Sequence, residues 1–170
     1  MIEFIARIAL MLVPMYLANS GAMLLGGKTP LDLNKKFIDG REFLGKGKTW
    51  KGSFFGVILG LIGAGIIAFI FTDFTVLLTE NYLLYGLLLS VGAILGDIAG
   101  SFLKRRLAIP PGKEAFPLDQ LDFVLGGILL GGILHIPLIE EAVVIIIFTV
   151  IAHKFTNFIA FKIKLKKVPW

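Results

Sequence analysis

The sequence predicts an all-α integral membrane protein, a bundle of about five transmembrane helices with the amino terminus outside and the carboxyl terminus in the cytoplasm. Three observations predict it. Apolar residues make up 56% of the 170 positions and mean hydropathy is +0.87, more apolar surface than one soluble core of this length can bury. Long apolar stretches recur without period-2 alternation. In lipid, where each segment must satisfy its own backbone, such stretches are helices rather than barrel strands. The basic residues, finally, gather in alternate connections.

The first apolar stretch, 2–25, carries Glu3 ahead of Arg7 and no small-residue cleavage pattern leading into a soluble domain, so it reads as a retained helix. Pro14 interrupts its backbone donors and is expected to kink it. Stretches 53–72, 82–103 and 139–161 also approach the roughly 20 residues needed to cross a hydrocarbon core. A further stretch, 121–138, is shorter and rich in glycine. Gly92, Gly96 and Gly100 recur at every fourth position of the third stretch, as do Gly56 and Gly60 on the second and Gly127 and Gly131 on the fourth. Small residues at that spacing let helix backbones approach closely in a membrane. The whole chain, 1–170, reads as one transmembrane domain with two long loops, 28–52 and 104–120.

Seven cations lie in 28–52, four in 104–120 and four in the tail (Lys162, Lys164, Lys166 and Lys167), fifteen of the 17 in all. The connections around 73–81 and 136–141 hold only Asp73, Glu80, Glu140 and Glu141. The positive-inside rule therefore assigns the two long loops and the carboxyl terminus to the cytoplasm. The chain has no cysteine, which excludes a disulfide framework, a thiolate nucleophile and a cysteine zinc site. With only two histidines, His135 and His153, a multi-histidine metal site is not expected.

The chemistry gathers on the basic side. Asp97 lies seven residues before Lys104, roughly 10 Å along a helix. A carboxylate that far inside the boundary is unfavourable by about 2.5–3.5 kcal/mol on insertion scales, so it should face a cation or a polar cavity. Helical geometry places Asp97, Ser101, Lys104 and Arg105 near one face. The segment KRRLAIPPGKEAFPLDQLD (104–122) supplies an anion-attracting edge, a Pro110-Pro111-Gly112 break and two carboxylates, Asp119 and Asp122, at the start of the next helix. These aspartates could also serve as a helix cap with an acidic first turn, a role compatible with metal binding. Asp97, Asp119 and Asp122 are hard oxygen ligands suited to Mg²⁺, and the adjacent cations suit phosphates. Phosphoryl or nucleotidyl transfer needs that combination. The segment DGREFLGKGKTWKGS (39–53) contains glycines and lysines able to close over a phosphate chain, with Lys46, Lys48, Thr49 and Lys51 as candidates, although it lacks P-loop spacing. Asn19 and Ser20 could line the same cavity or bond between helices. The residues alone leave open a membrane prenyltransferase and a small phosphate or nucleotide transporter.

Three segments, YLANSGAMLLGGKTPLDL (16–33), DGREFLGKGKTWKGSFFG (39–56) and GDIAGSFLKRRLAIPPGKEAFPLDQLDFVLGG (96–127), together resemble the CDP-archaeol synthase family, related to the phosphatidate cytidylyltransferases. The resemblance implies a multi-pass enzyme of the cell membrane with its active site toward the cytoplasm. Its partners would be CTP and unsaturated archaetidic acid, a digeranylgeranylglycerol phosphate, within the bilayer; no nucleic-acid polymer is expected. It also implies Mg²⁺ as cofactor and a polar centre made of Asp97, Lys104, Arg105, Asp119 and Asp122. Relative to the longer phosphatidate enzymes, the chain lacks most of their amino-terminal helices and carries PPGKEAFPLDQLD in place of a more glycine-rich segment.

Overall fold

The computed structural model describes residues 1–164; Lys166 and Lys167 of the basic tail lie outside the described residues. Among those described, every regular element is helical: α1 (Ile2–Leu24), α2 (Trp50–Ile70), a single turn α3 (Thr72–Thr75), α4 (Tyr82–Arg106), α5 (Leu118–Gly131) and α6 (Ile139–Lys162). Four of them, α1, α2, α4 and α6, are long and apolar enough to cross a membrane. The fifth stretch forms a shorter helix than its apolar length suggests. At 14 residues, α5 is about 21 Å long, against a hydrocarbon thickness of about 30 Å. It ends where Gly131 and Gly132 weaken helix propensity ahead of Pro137. It begins three residues earlier than its hydropathy indicates, because Pro117 at the N-cap fits a helix start.

The other boundaries shift for equally local reasons. Thr49 caps α2, its hydroxyl accepting the Gly52 N–H at 3.1 Å, so this helix starts at Trp50 rather than 53. Helix α4 continues to Arg106. Lys104, Arg105 and Arg106 are therefore helical residues fanned around an axis instead of loop residues.

Helices α1, α2, α4 and α5 form the packed body, with a core that includes Met11, Met15, Leu89, Ala93, Phe123 and Val124. Pro14 sits inside α1 and deprives the Leu10 carbonyl of its helical donor. The Tyr82 hydroxyl of α4 donates to that carbonyl at 2.7 Å. The tightest seam joins α4 to α5. A Cβ at Gly96 would stand 2.1 Å from the Asp122 carbonyl oxygen, and one at Gly92 would stand 2.4 Å from the Gly126 carbonyl oxygen. No side chain fits there, so the glycine spacing read from the sequence is a requirement of backbone contact.

The end of the bundle opposite the long loops has its own polar knot. Glu141, fully buried at the start of α6, accepts from Arg7 Nε at 2.5 Å. Arg7 also donates to the Leu77 carbonyl at 3.0 Å and lies 3.4 Å from His135 Nε2. Glu141 is thus half of a buried ion pair rather than a free loop acid.

Candidate active site

The first long loop folds as a small lid-like unit around Asp32. Its carboxylate accepts backbone N–H groups of Leu44 at 2.9 Å, Gly45 at 3.0 Å and Asn34 at 3.0 Å. Burial by itself would raise the Asp32 pKa, but these N–H groups outweigh it and hold the carboxyl below the usual range. Gly45 has φ +95°, a left-handed conformation that a side chain would strain. The unit is clamped to the end of α4 by two arginines. Arg41 Nη1 donates to the Arg106 carbonyl at 2.6 Å. Arg106 pairs with Asp39 at 2.9 Å and lies 4.6 Å and 4.9 Å from the ring centres of Phe37 and Phe102.

This docking carries Lys48 to Asp97, with Nζ 2.5 Å from Oδ2. The carboxylate that the sequence leaves inside the membrane boundary therefore has its cation. That cation comes from a loop 49 residues away rather than from the adjacent basic triplet. Lys104 pairs with Asp119 across the α4–α5 seam, and Asp119 also accepts the Ala115 N–H at 2.8 Å. Asp119 thus closes the turn before α5 instead of acting as its N-cap.

Asp122 differs from both. It is 8% exposed, its Oδ1 accepts the Phe123 N–H at 2.7 Å, and among the described residues no cation pairs with it. Oδ2 lies over Gly100, where a Cβ would come within 2.2 Å. Asp97 and Asp122 are close enough to act on each other electrostatically. A buried carboxylate with one oxygen unengaged beside a second carboxylate calls for an external cation.

Arg105 is buried and donates to the Ile109 carbonyl at 2.6 Å, while its Nε has no partner among the described residues. Gln120, 2% exposed, donates to Glu114 at 3.3 Å, and its Oε1 has no partner. Of the remaining candidates, Thr49 is occupied as a cap and also accepts the Gly27 N–H at 3.0 Å. Lys46 lines a recess of about 500 Å³ with Lys28, Pro30 and Asn34. Lys51 lies 5.9 Å from the Phe55 ring centre. Asn19 and Ser20 are half-buried in the last turns of α1.

Among the described residues, no three acidic or histidine side chains converge as a self-sufficient metal cage. Asp119 is engaged by Lys104 and by the Ala115 N–H. The Asp97–Asp122 pair does fit Mg²⁺, which is bound through one or two carboxylates with phosphate oxygens and water completing the shell. Sequence reasoning missed Asp32, Arg41 and Gln120 as builders of this site, and it read Arg106 as part of an anion-attracting edge where the structure has it bonded to Asp39 and the Glu42 carbonyl. Only Asp32 left a local signal, an Asp-x-Asn turn pattern after Pro30.

Paired carboxylates and lysines around one buried aspartate, gathered at one end of a bundle of membrane-length helices, mark a polar site of an intramembrane protein. Comparison with known proteins sharpens this. The family profile described as CarS-like CDP-archaeol synthase matches residues 1–170. The CDP-archaeol synthase of Methanocaldococcus jannaschii is 43% identical over 166 residues, covering 94% of this chain and 93% of its own. That of Pyrobaculum calidifontis is 44% identical over 174 residues, covering 98% of each. A solved structure described as an intramembrane enzyme for archaeal membrane lipid biosynthesis superposes with a TM-score of 0.80 at 31% identity, covering 88% of this chain and 91% of that one. The chain belongs to the CDP-archaeol synthase family, and it is an enzyme of the nucleotidyltransferase class.

Proposed function

We propose that this enzyme transfers the cytidylyl group of CTP to an unsaturated archaeal ether-lipid phosphate, giving a CDP-activated lipid and pyrophosphate. The observation that carries the reading is the polar centre itself. The ion pairs Asp97–Lys48 and Asp119–Lys104 lie on the same end of the bundle as the buried Asp122, which no cation pairs among the described residues.

A phosphate monoester is anionic near neutral pH, so neither a protein nucleophile nor a strong base is required. A lipid phosphate oxygen attacks the α-phosphorus of CTP in line. The new P–O bond forms as the bond to the β-phosphate breaks, and its electron pair leaves with pyrophosphate. Catalysis then consists of positioning and charge neutralisation. Asp97 and Asp122 would hold Mg²⁺, which when bound neutralises polyphosphate charge. Lys48 and Lys104, paired with Asp97 and Asp119, would turn toward phosphate oxygens, and the buried Arg105 would add a fixed positive charge. Lys46 offers its recess to the outer phosphates. We infer from the distribution of cations that the site faces the cytoplasm across the cell membrane.

The test is pyrophosphate release by purified protein in detergent, with Mg²⁺ and unsaturated archaetidic acid, comparing CTP with ATP, GTP and UTP. Release that needs the lipid and prefers CTP supports the reading, and in detergent, with no sealed compartment, it excludes transport as the sole activity. A requirement for a prenyl diphosphate instead of CTP would replace this reading with a prenyltransferase.

A further inference from the structure

Between Lys35 and Phe43 the first long loop makes a short hairpin. Phe43 donates its N–H to the Lys35 carbonyl at 3.1 Å, Phe37 donates to Arg41 at 2.8 Å, and Gly40 donates to Phe37 at 2.9 Å. Gly40 permits that turn with φ +76°. The hairpin belongs to a loop, yet its side chains reach back toward the bilayer. The ring centres of Phe37 and Phe43 lie 5.3 Å and 5.1 Å from that of Phe102. Phe102 stands about 6 Å of helix axis before Arg106, the last residue of α4. The basic triplet Lys104, Arg105 and Arg106 marks the edge of the hydrocarbon, so the Phe37 ring packs at that edge. On the other side of the tip, Asp39 is bonded to Arg106 at 2.9 Å. Ile38 is thereby bracketed, with the residue before it at the level of Phe102 and the residue after it on the Arg106 guanidinium.

Ile38 is itself 95% exposed. An apolar side chain left bare in water gains nothing from folding, whereas in the interfacial layer it would be covered. The surrounding charges fit the same setting. Asp39 is neutralised by Arg106, and Arg41 is engaged by the Arg105 and Arg106 carbonyls. Lys35 and Lys36 are exposed and enter no ion pair among the described residues. An apolar tip with two unpaired lysines at its base suits a layer of anionic headgroups over hydrocarbon.

We propose that this hairpin is a membrane-surface anchor: Ile38 seats in the interfacial layer of the leaflet on the loop side, and Lys35 and Lys36 hold its anionic headgroups. The partner is the lipid surface. The same loop unit carries Lys48 to Asp97, so the anchor fixes against the bilayer the segment that covers the polar site. It does not depend on which reaction that site performs.

The chain has no cysteine, so a single spin-labelled cysteine can be placed in an otherwise unchanged protein. Ile38→Cys is compared in lipid nanodiscs with two controls. Gly47→Cys is a loop position with open space around it, and Ile62→Cys is 52% exposed midway along the membrane-length helix α2. Collisions with oxygen, which concentrates in lipid, and with a water-soluble nickel chelate read the depth of each label. In discs of phosphatidylcholine mixed with phosphatidylglycerol, the label at 38 should meet oxygen more than nickel, as at 62 and unlike 47. Lys35→Gln and Lys36→Gln should each lower the seated-to-free ratio at 38 about fivefold, leaving 62 unchanged. In the unlabelled chain, amide exchange at Phe37 and Gly40 should be slower in the mixed discs than in phosphatidylcholine alone. Nickel access at 38 equal to that at 47, or equal exchange in both lipids, would overturn the anchor. So would spin–spin broadening at 38 that disappears on dilution with unlabelled protein, since a second copy would then cover the tip.

Discussion

Three carboxylates that look equivalent in sequence take three different environments. Asp97 is held by a lysine from a distant loop, Asp119 by a lysine on the neighbouring helix, and Asp122 is in an ion pair with no cation among the described residues. The unpaired one should therefore be the most sensitive to neutralisation. Asp122→Asn keeps the shape and the bond to the Phe123 N–H while removing the charge, and pyrophosphate release should fall about 10²-fold or more with the protein still folded. Asp32 makes a separate prediction. Its folded pKa is depressed, so its contribution to loop stability is fully present above the unfolded value of about 3.9 and is lost as pH falls through the folded value. At neutral pH, Asp32→Asn should speed amide exchange at Leu44 and Gly45 relative to wild type, and the difference between the two proteins should narrow only in strong acid. The acidic side of the site was legible in sequence, because a carboxylate inside an apolar stretch has few explanations. The identity of its partner was not, because Lys48 reaches Asp97 only through a loop fold organised by Asp32, Arg41 and Arg106.

At the scale of elements, the seam between α4 and α5 decides the site. Gly100 keeps Asp122 against α4, and Gly96 lets the two backbones touch. A methyl group at Gly100 would displace Asp122, whereas one in open lipid would change nothing. Gly100→Ala should destabilise the protein by about 1–3 kcal/mol and depress turnover more than stability, measured as residual activity well below the melting temperature. Apolar length predicted the long helices well because crossing the hydrocarbon core fixes their size. It failed for α5, where hydropathy continues through Ile133, Leu134 and Ile136 while the Gly131-Gly132 pair ends the helix. The basic triplet was read as loop for a related reason. Charge marks where the bilayer ends, and α4 continues beyond it.

At the scale of the whole molecule, the bundle is tied at both ends. Loop residues lock onto α4 at one end, and Arg7 binds the fully buried Glu141 at the other. Removing Arg7 strands an uncompensated buried charge, so Arg7→Ala should destabilise by about 3–5 kcal/mol. Arg7→Ala combined with Glu141→Leu should recover most of that loss, as read from thermal unfolding in detergent. This far pair was beyond sequence reading because the two residues are 134 positions apart and nothing local joins them. The bond from Tyr82 to the Leu10 carbonyl reaches across the chain in the same way, and it bears on how the protein is made. Helix α1 leaves the ribosome with a proline-orphaned carbonyl, an unfavourable group to present to lipid. Its hydroxyl partner is not synthesised until the chain has passed through α2. Helix α1 is therefore completed only after the start of α4 has been made, so its last hydrogen bond is a late event in assembly.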